Sequence, residues 1–233
     1  MKVAFLTWLC LAAICAAQQA TLKAHADVTR GGHRLKDASK VVIWLTPIGT
    51  PIERPKQDPA QIPKLVQKDK RFHPSLLVIP AGGKVEFPNR DPFFHNVFSL
   101  FEGKRFDLGL YESGSTRVVQ FDKPGISFIF CNIHSQMNAV VVAVATPYYA
   151  VSDERGDVSF PSVPPGRYTM DVFHPAVSPE SLHSLTREVT IAPGETTLGN
   201  VTVVESDFTL THKNKYGKDY DPPEPDSPAY TRP

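Results

Sequence analysis

The chain has 233 residues, 41% of them hydrophobic and 21% charged, which is enough for one large apolar core or two small ones. A formal net charge of +1 gives no basic footprint for a polyanion, so nucleic acid is excluded as an expected partner. The 14 glycines and 22 prolines punctuate the chain densely and favour short strands joined by turns.

At the N-terminus, Lys2 precedes the apolar run Val3–Cys15, and Cys15 and Ala17 occupy the −3 and −1 positions of a cleavage site. Residues 1–17 are therefore expected to be a signal peptide, and the mature protein to be periplasmic or secreted. A membrane helix needs about 20 apolar residues, so no stable span is expected after cleavage. Bulky Ile14 before Cys15 speaks against a lipoprotein signal. Cleavage removes Cys10 and Cys15 and leaves Cys131 as the one thiol of the mature chain. An unpaired thiol in an oxidising compartment is a liability unless it is buried or bound.

Along the mature chain, short β-branched segments bounded by turn residues predict strands at Val41–Leu45, Leu76–Ile79, Lys84–Phe87, Arg117–Phe121, Ser127–Cys131, Ala139–Val144 and Tyr168–Val172. Pro51, Pro55, Pro59 and Pro63 recur among polar residues, so 51–61 reads as a stiff linker. Pro80-Ala81-Gly82-Gly83 separates two strands, and Pro164-Pro165-Gly166 suits a type II turn. No segment combines helical periodicity with caps. The fold class is all-β, with sandwich or barrel packing. Residues 211–233 are polar, with five prolines after Asp221, and are expected to be a disordered tail. The sequon Asn200-Val201-Thr202 is a weak surface signal.

Chemistry concentrates in Cys131-Asn-Ile-His134-Ser-Gln-Met137, which follows a predicted strand. It places a thiolate, an imidazole and a thioether within seven residues, a donor set suited to copper. A trigonal His₂Cys site with a weak axial Met is the blue-copper arrangement and needs one more histidine. His95, after the predicted strand Lys84–Phe87, supplies it. His25, His33, His73, His174, His183 and His212 lack such neighbours and read as structural or surface residues. Met137 would ordinarily be core filler, and its place in the ligand loop argues otherwise. Structural zinc would want four Cys/His ligands, and one mature cysteine also rules out a thiolate-bridged binuclear copper centre. A cysteine hydrolase would need an oriented thiolate–imidazole pair and an oxyanion hole, which nothing here supplies.

Residues 62–146 resemble a cupredoxin domain of the plastocyanin and amicyanin family. The segment Phe72–Asn89 resembles its first strands, His95-Asn96-Val97 its first ligand, and Cys-x₂-His-x₂-Met the ligand loop found in amicyanin. The resemblance implies a Greek-key β-sandwich with equatorial His95, Cys131 and His134, axial Met137, and one copper ion cycling between Cu(I) and Cu(II). It implies an electron carrier, not an enzyme, working with redox partner proteins. Copper storage or delivery is the alternative. Multicopper oxidases and nitrite reductases carry a histidine beside the cysteine, whereas Cys131 is flanked by Phe130 and Asn132. Around the site, Asn96 is expected to tie the ligand loops together, and backbone N–H groups near Asn96 and Asn132 to donate to the thiolate. Phe93, Phe94 and Ile133 are expected to form an apolar docking patch around His134.

Residues 149–203 resemble a carboxypeptidase regulatory-like (transthyretin-like) β-sandwich, through Tyr149–Phe160 and Val163–Val172. That family begins with two earlier strands, and Ala26–Leu45 fits them, with Gly31-Gly32 at the turn. The resemblance implies that residues 21–50 and 147–210 form one smaller sandwich into which 62–146 is inserted, with a structural or docking role.

Overall fold

The computed structural model describes residues 20–52, 54–100, 103–194, 197–206 and 213–220. The expected signal peptide lies outside the described residues, as do 211, 212 and 221–233 of the expected tail.

The protein is all-β, built from packed sheets. One sheet orders its strands as Leu76–Pro80, Asn138–Val144, Gly125–Phe130, His95–Ser99 and Phe106–Tyr111. Leu76–Pro80 runs parallel to Asn138–Val144, and the other pairings are antiparallel. Lys84–Pro88 pairs with Thr116–Gln120, and the hairpin Val66–Lys68/Arg71–His73 lies alongside. Between these layers sits a core that includes Leu65, Phe72, Phe87, Tyr111, Phe121, Ile129 and Val141, together with Cys131 and Met137. The site's sulfur atoms are therefore part of the apolar interior.

A second pair of sheets combines strands from both ends of the chain. Ala20–Arg30 lies between Asp157–Val163 and Thr197–Glu205. Val42–Pro47 lies between Tyr149–Val151 and Gly166–Phe173, with Arg187–Ile191 beyond. Period-2 alternation sends Leu22, Ala24, Ala26 and Val28 of the first strand and Tyr168, Met170 and Val172 of another into one core.

Asn138–Val144 explains itself by position. Its sequence Ala-Val-Val-Val-Ala-Val is apolar on both faces, the mark of a strand covered on both sides. Ala139, Val141 and Ala143 face the core around Cys131. Val140, Val142 and Val144, each at most 2% exposed, pack against Val42 and Phe173, neighbours in the sheet of Val42–Pro47 and Gly166–Phe173. This aliphatic layer joins the two sandwiches.

The expected strands are present, with ends shifted by one or two residues. Ser127–Cys131 becomes Gly125–Phe130, so Cys131 sits just past the strand end, where the ligand loop begins. One correction concerns helix. Pro179–Leu185 is a single short helix, capped by the Ser178 side chain accepting from the Ser181 N–H, with Glu180 in its first turn. It fully buries no residue, and only Leu182 and Leu185 pack half-buried on the core, too few to mark a helical period in the sequence.

Candidate metal centre

Two loops and a strap converge at one end of the first sandwich. The loop after Lys84–Pro88 is folded by Asn89, whose side chain donates to the Phe93 carbonyl at 2.8 Å and accepts from the Asp91 N–H at 3.0 Å. Asp91 then becomes a buried hub. Its carboxylate accepts from the Asp69 and Lys70 N–H groups at 2.6 and 3.0 Å and from His95 Nε2 at 2.7 Å. Burial pushes the Asp91 carboxyl up, but the hydrogen bonds from His95, Lys70 and Asp69 outweigh this and hold it below its ordinary value. Because His95 donates from Nε2, its Nδ1 carries the lone pair, and Nδ1 faces Cys131 Sγ at 3.7 Å.

The second loop closes on itself. Cys131 N–H donates to the Met137 carbonyl at 3.1 Å, and Met137 N–H to the His134 carbonyl at 3.0 Å. This tight turn brings His134 Nδ1 to 3.6 Å from Cys131 Sγ. One ligand atom each from His95, Cys131 and His134 lies within 4.8 Å of the others. The two imidazole rings meet edge to face with centroids 5.0 Å apart, and Phe93 packs on both, at 5.2 and 5.8 Å. Met137 is fully buried in the same apolar cluster as Cys131.

Electrostatics suit neutral imidazoles and a guarded sulfur. Burial pushes His134 down to about 4, helped by repulsion from His95 and Lys70. Burial also lowers His95, against the pull of Asp91. Burial raises the Cys131 thiol, while the N–H groups of Ile133, Asn96 and His134 point at its sulfur and favour the thiolate. These donors lie where they were expected, at Asn96 and in the residues just after Asn132. The Asn96 side chain does not bridge the ligand loops. It donates to Asp107 Oδ1 at 2.6 Å.

The tail supplies the largest correction. Residues 213–220, expected to be disordered, lie against the ligand loop. Lys215 N–H donates to Asn132 Oδ1 at 2.8 Å, its Nζ meets Asp107 Oδ2 at 2.7 Å, and the Tyr220 hydroxyl donates to the Cys131 carbonyl at 2.8 Å. Burial pushes the Tyr220 hydroxyl up, which keeps it protonated as a donor. Asp91, Asp107, Lys215 and Tyr220 were not found from sequence. An acidic residue four positions before His95 was the one local signal among them.

Next to the centre is a cavity of about 520 Å³, lined by Lys70, Arg71, Phe72, Ile133, His134 and Tyr220 among others. His134 is half-buried and reaches it. Phe94 is 43% exposed, whereas Phe93 and Ile133 are half-buried. His174 is buried outside this cluster, next to Glu205 at 3.7 Å.

No protein-family model matches the chain, and no curated protein matches it. Solved structures resemble part of it. A purple cupredoxin from Nitrosopumilus maritimus is 21% identical over 35% of this chain and 99% of its own, with a TM-score of 0.32. Amicyanin from Paracoccus versutus is 21% identical over 37% of this chain and 85% of its own, with a TM-score of 0.34. The oxidised form of an amicyanin point mutant is 16% identical, covering 36% and 82%, with a TM-score of 0.34.

Proposed function

We propose that this chain binds one copper ion through His95 Nδ1, His134 Nδ1 and Cys131 Sγ, with Met137 as a weak axial donor, and carries single electrons between redox partner proteins. The observation that supports this most is the convergence of two imidazole nitrogens on one buried sulfur, all within 4.8 Å. One soft thiolate with two neutral imidazoles is the donor chemistry of a mononuclear copper site. A nucleophilic cysteine is disfavoured by the same geometry. Cys131 is fully buried, so a substrate carbonyl has no approach to its sulfur.

Bound copper would supply a reversible one-electron couple. The protein's part is to hold the ligands still. Asp91 fixes the His95 tautomer and ring, the ligand-loop turn fixes Cys131 and His134, and three backbone N–H groups brace the sulfur. Apolar surroundings keep water from the sulfur side, and His134, reaching the cavity, is the edge through which electrons enter and leave. The exposed Phe94, with Phe93 and Ile133, offers a small apolar contact for a transient partner. We further read residues 1–17 as a secretion signal and the working place as the periplasm or exterior. Residues 62–146 are read as the copper unit and 21–50 with 147–210 as the supporting sandwich. Among the described residues no helix is long and apolar enough to cross a membrane.

Titration with Cu(II) tests the reading. One equivalent should produce an intense visible thiolate-to-copper band, Cys131→Ala should abolish it with the fold intact, and Met137→Leu should keep the band while raising the potential. Copper binding without any such band would sink the assignment.

A further inference from the structure

The segment 213–220 is polar, yet it is ordered, and its contacts converge on the metal centre. A compact turn shapes it, with the Asn214 side chain accepting from the N–H groups of Tyr216 and Lys218 at 3.0 and 3.1 Å and Gly217 at positive φ. From this turn three bonds go out. Lys215 N–H reaches the side chain of Asn132, the residue after the proposed thiolate ligand. Tyr220 reaches the carbonyl of Cys131 itself. The Lys215 ammonium reaches Asp107, whose other carboxylate oxygen holds Asn96, and the Asn96 N–H is one of the three that point at the Cys131 sulfur.

The contacts thus form a closed circuit. One branch grips the Cys131 loop directly, and the other grips the strand that begins at His95 through Asp107 and Asn96. These two pieces of chain carry the three clustered ligands, and they are 36 residues apart in sequence between His95 and Cys131. A strap bonded to both restrains their separation. Ordering a polar segment costs entropy, so the bonds that hold it must offset that cost, and here they are spent on the ligand loops.

We propose that residues 213–220 are a strap that locks the two ligand-bearing loops together, with Lys215 and Tyr220 as positioning residues for the copper centre. The proposal rests on the copper reading above. The strap holds the ligand geometry constant through the redox cycle and slows departure of the metal. Tyr220 also forms part of the wall of the cavity next to His134, so the strap closes the centre on its cysteine side.

The test compares the full chain with a chain ending at residue 212 and with Tyr220→Phe, Lys215→Met and Lys218→Ala. Lys218 is exposed and serves as the control. The readouts are Cu(I) transfer to an excess of chelator, the reduction potential, and amide exchange of residues 131–134 in the metal-free protein. Losing one neutral hydrogen bond should speed transfer roughly fivefold in Tyr220→Phe. Losing the ion pair in Lys215→Met should do at least as much. The shortened chain should release copper tens of times faster, shift to a lower potential as water reaches the sulfur, and exchange the loop amides faster. Lys218→Ala should match the wild type. If the shortened chain does not fold, Tyr220→Phe, which keeps the ring, decides. Unchanged transfer, potential and amide exchange in the folded variants overturn the strap. A wild-type chain lacking the thiolate-to-copper band overturns the copper reading instead, and the amide-exchange arm still decides whether the strap restrains the loop.

Discussion

Asp91 ties three groups together beside the centre. It joins the turn at Asp69 and Lys70 to His95, and both turn residues adopt positive φ, so their N–H groups point inward at its carboxylate. Asp91→Asn keeps the size but loses the charge and turns one oxygen into a donor facing other donors. Metal affinity should fall about 10- to 100-fold, measured by competition with a chelator of known affinity. Unchanged affinity would mean that His95 is oriented by packing on Phe93 alone. The proposed ligand set was legible because three of its members, a thiol, an imidazole and a thioether, lie in one seven-residue stretch. Asp91 was half-legible, and Asp107 was not, since its role depends on Lys215, a partner 108 residues away. His174 offers a separate test. Burial holds it below the ordinary imidazole value, against the pull of Glu205. The unfolded chain then takes up a proton at higher pH than the folded one. The stability that neutral His174 contributes is therefore full above pH about 6.5, and it is lost as pH falls below that value toward the folded pKa. Urea unfolding at pH 7.5 and 5.5 should show a smaller acid-induced loss in His174→Gln than in wild type. An equal loss in both would assign the pH dependence to other groups.

At the scale of elements, the turn Asp153–Gly156 shows how sequence dictates pairing. Asp153 Oδ1 accepts from the N–H groups of Arg155 and Asp157, both at 2.9 Å, and Gly156 has φ +90°. The Gly156 carbonyl takes the Ala26 N–H at 2.7 Å, and an added Cβ would lie 2.1 Å from the Ala26 carbonyl oxygen. Gly156→Ala thus combines a strained backbone with a collision against a central strand. It should destabilise the protein by about 2 kcal/mol or more, read as a lower urea midpoint at constant slope. A change under about 0.5 kcal/mol would show that the turn relaxes freely. Strands with clear alternation or a continuous apolar run, such as Tyr168–Val172 and Ala139–Val144, were legible for that reason. His95–Ser99 was not, because its apolar pattern is interrupted by Asn96, whose side chain bonds Asp107. The helix Pro179–Leu185 offered little beyond Ser178-Pro179-Glu180, since only Leu182 and Leu185 pack on the core and two apolar residues make no clear period.

At the scale of the whole molecule, the order of strands links the two ends of the chain. Ala20–Arg30 and Val42–Pro47 each lie between strands that come after residue 146, so a C-terminal piece alone would lack the middle of both its sheets. Sheets cut in this way expose unpaired backbone and an apolar face, and such edges aggregate. Residues 147–210 alone should therefore be unfolded or insoluble. Residues 21–50 joined by a short flexible linker to 147–210 should recover cooperative unfolding. Sequence reasoning also leads one to expect that 62–146 folds freely, since both ends lie near apparent junctions. The aliphatic layer qualifies this. Val140, Val142 and Val144 are covered by Val42 and Phe173, and the rings of Phe128 and Phe173 meet at 6.4 Å. Freed from the other sandwich, that face becomes a contiguous apolar patch of the kind that drives association. The 62–146 fragment should consequently bind copper but self-associate, and Val140→Thr with Val142→Thr should return it to a monomer in sedimentation without loss of the visible band. This face was hidden from sequence reasoning because a strand apolar on both sides does not say what covers its second side. If 147–210 alone unfolds cooperatively, or if unsubstituted 62–146 is monomeric, the two sandwiches are independent neighbours and the shared layer contributes little to holding the molecule together.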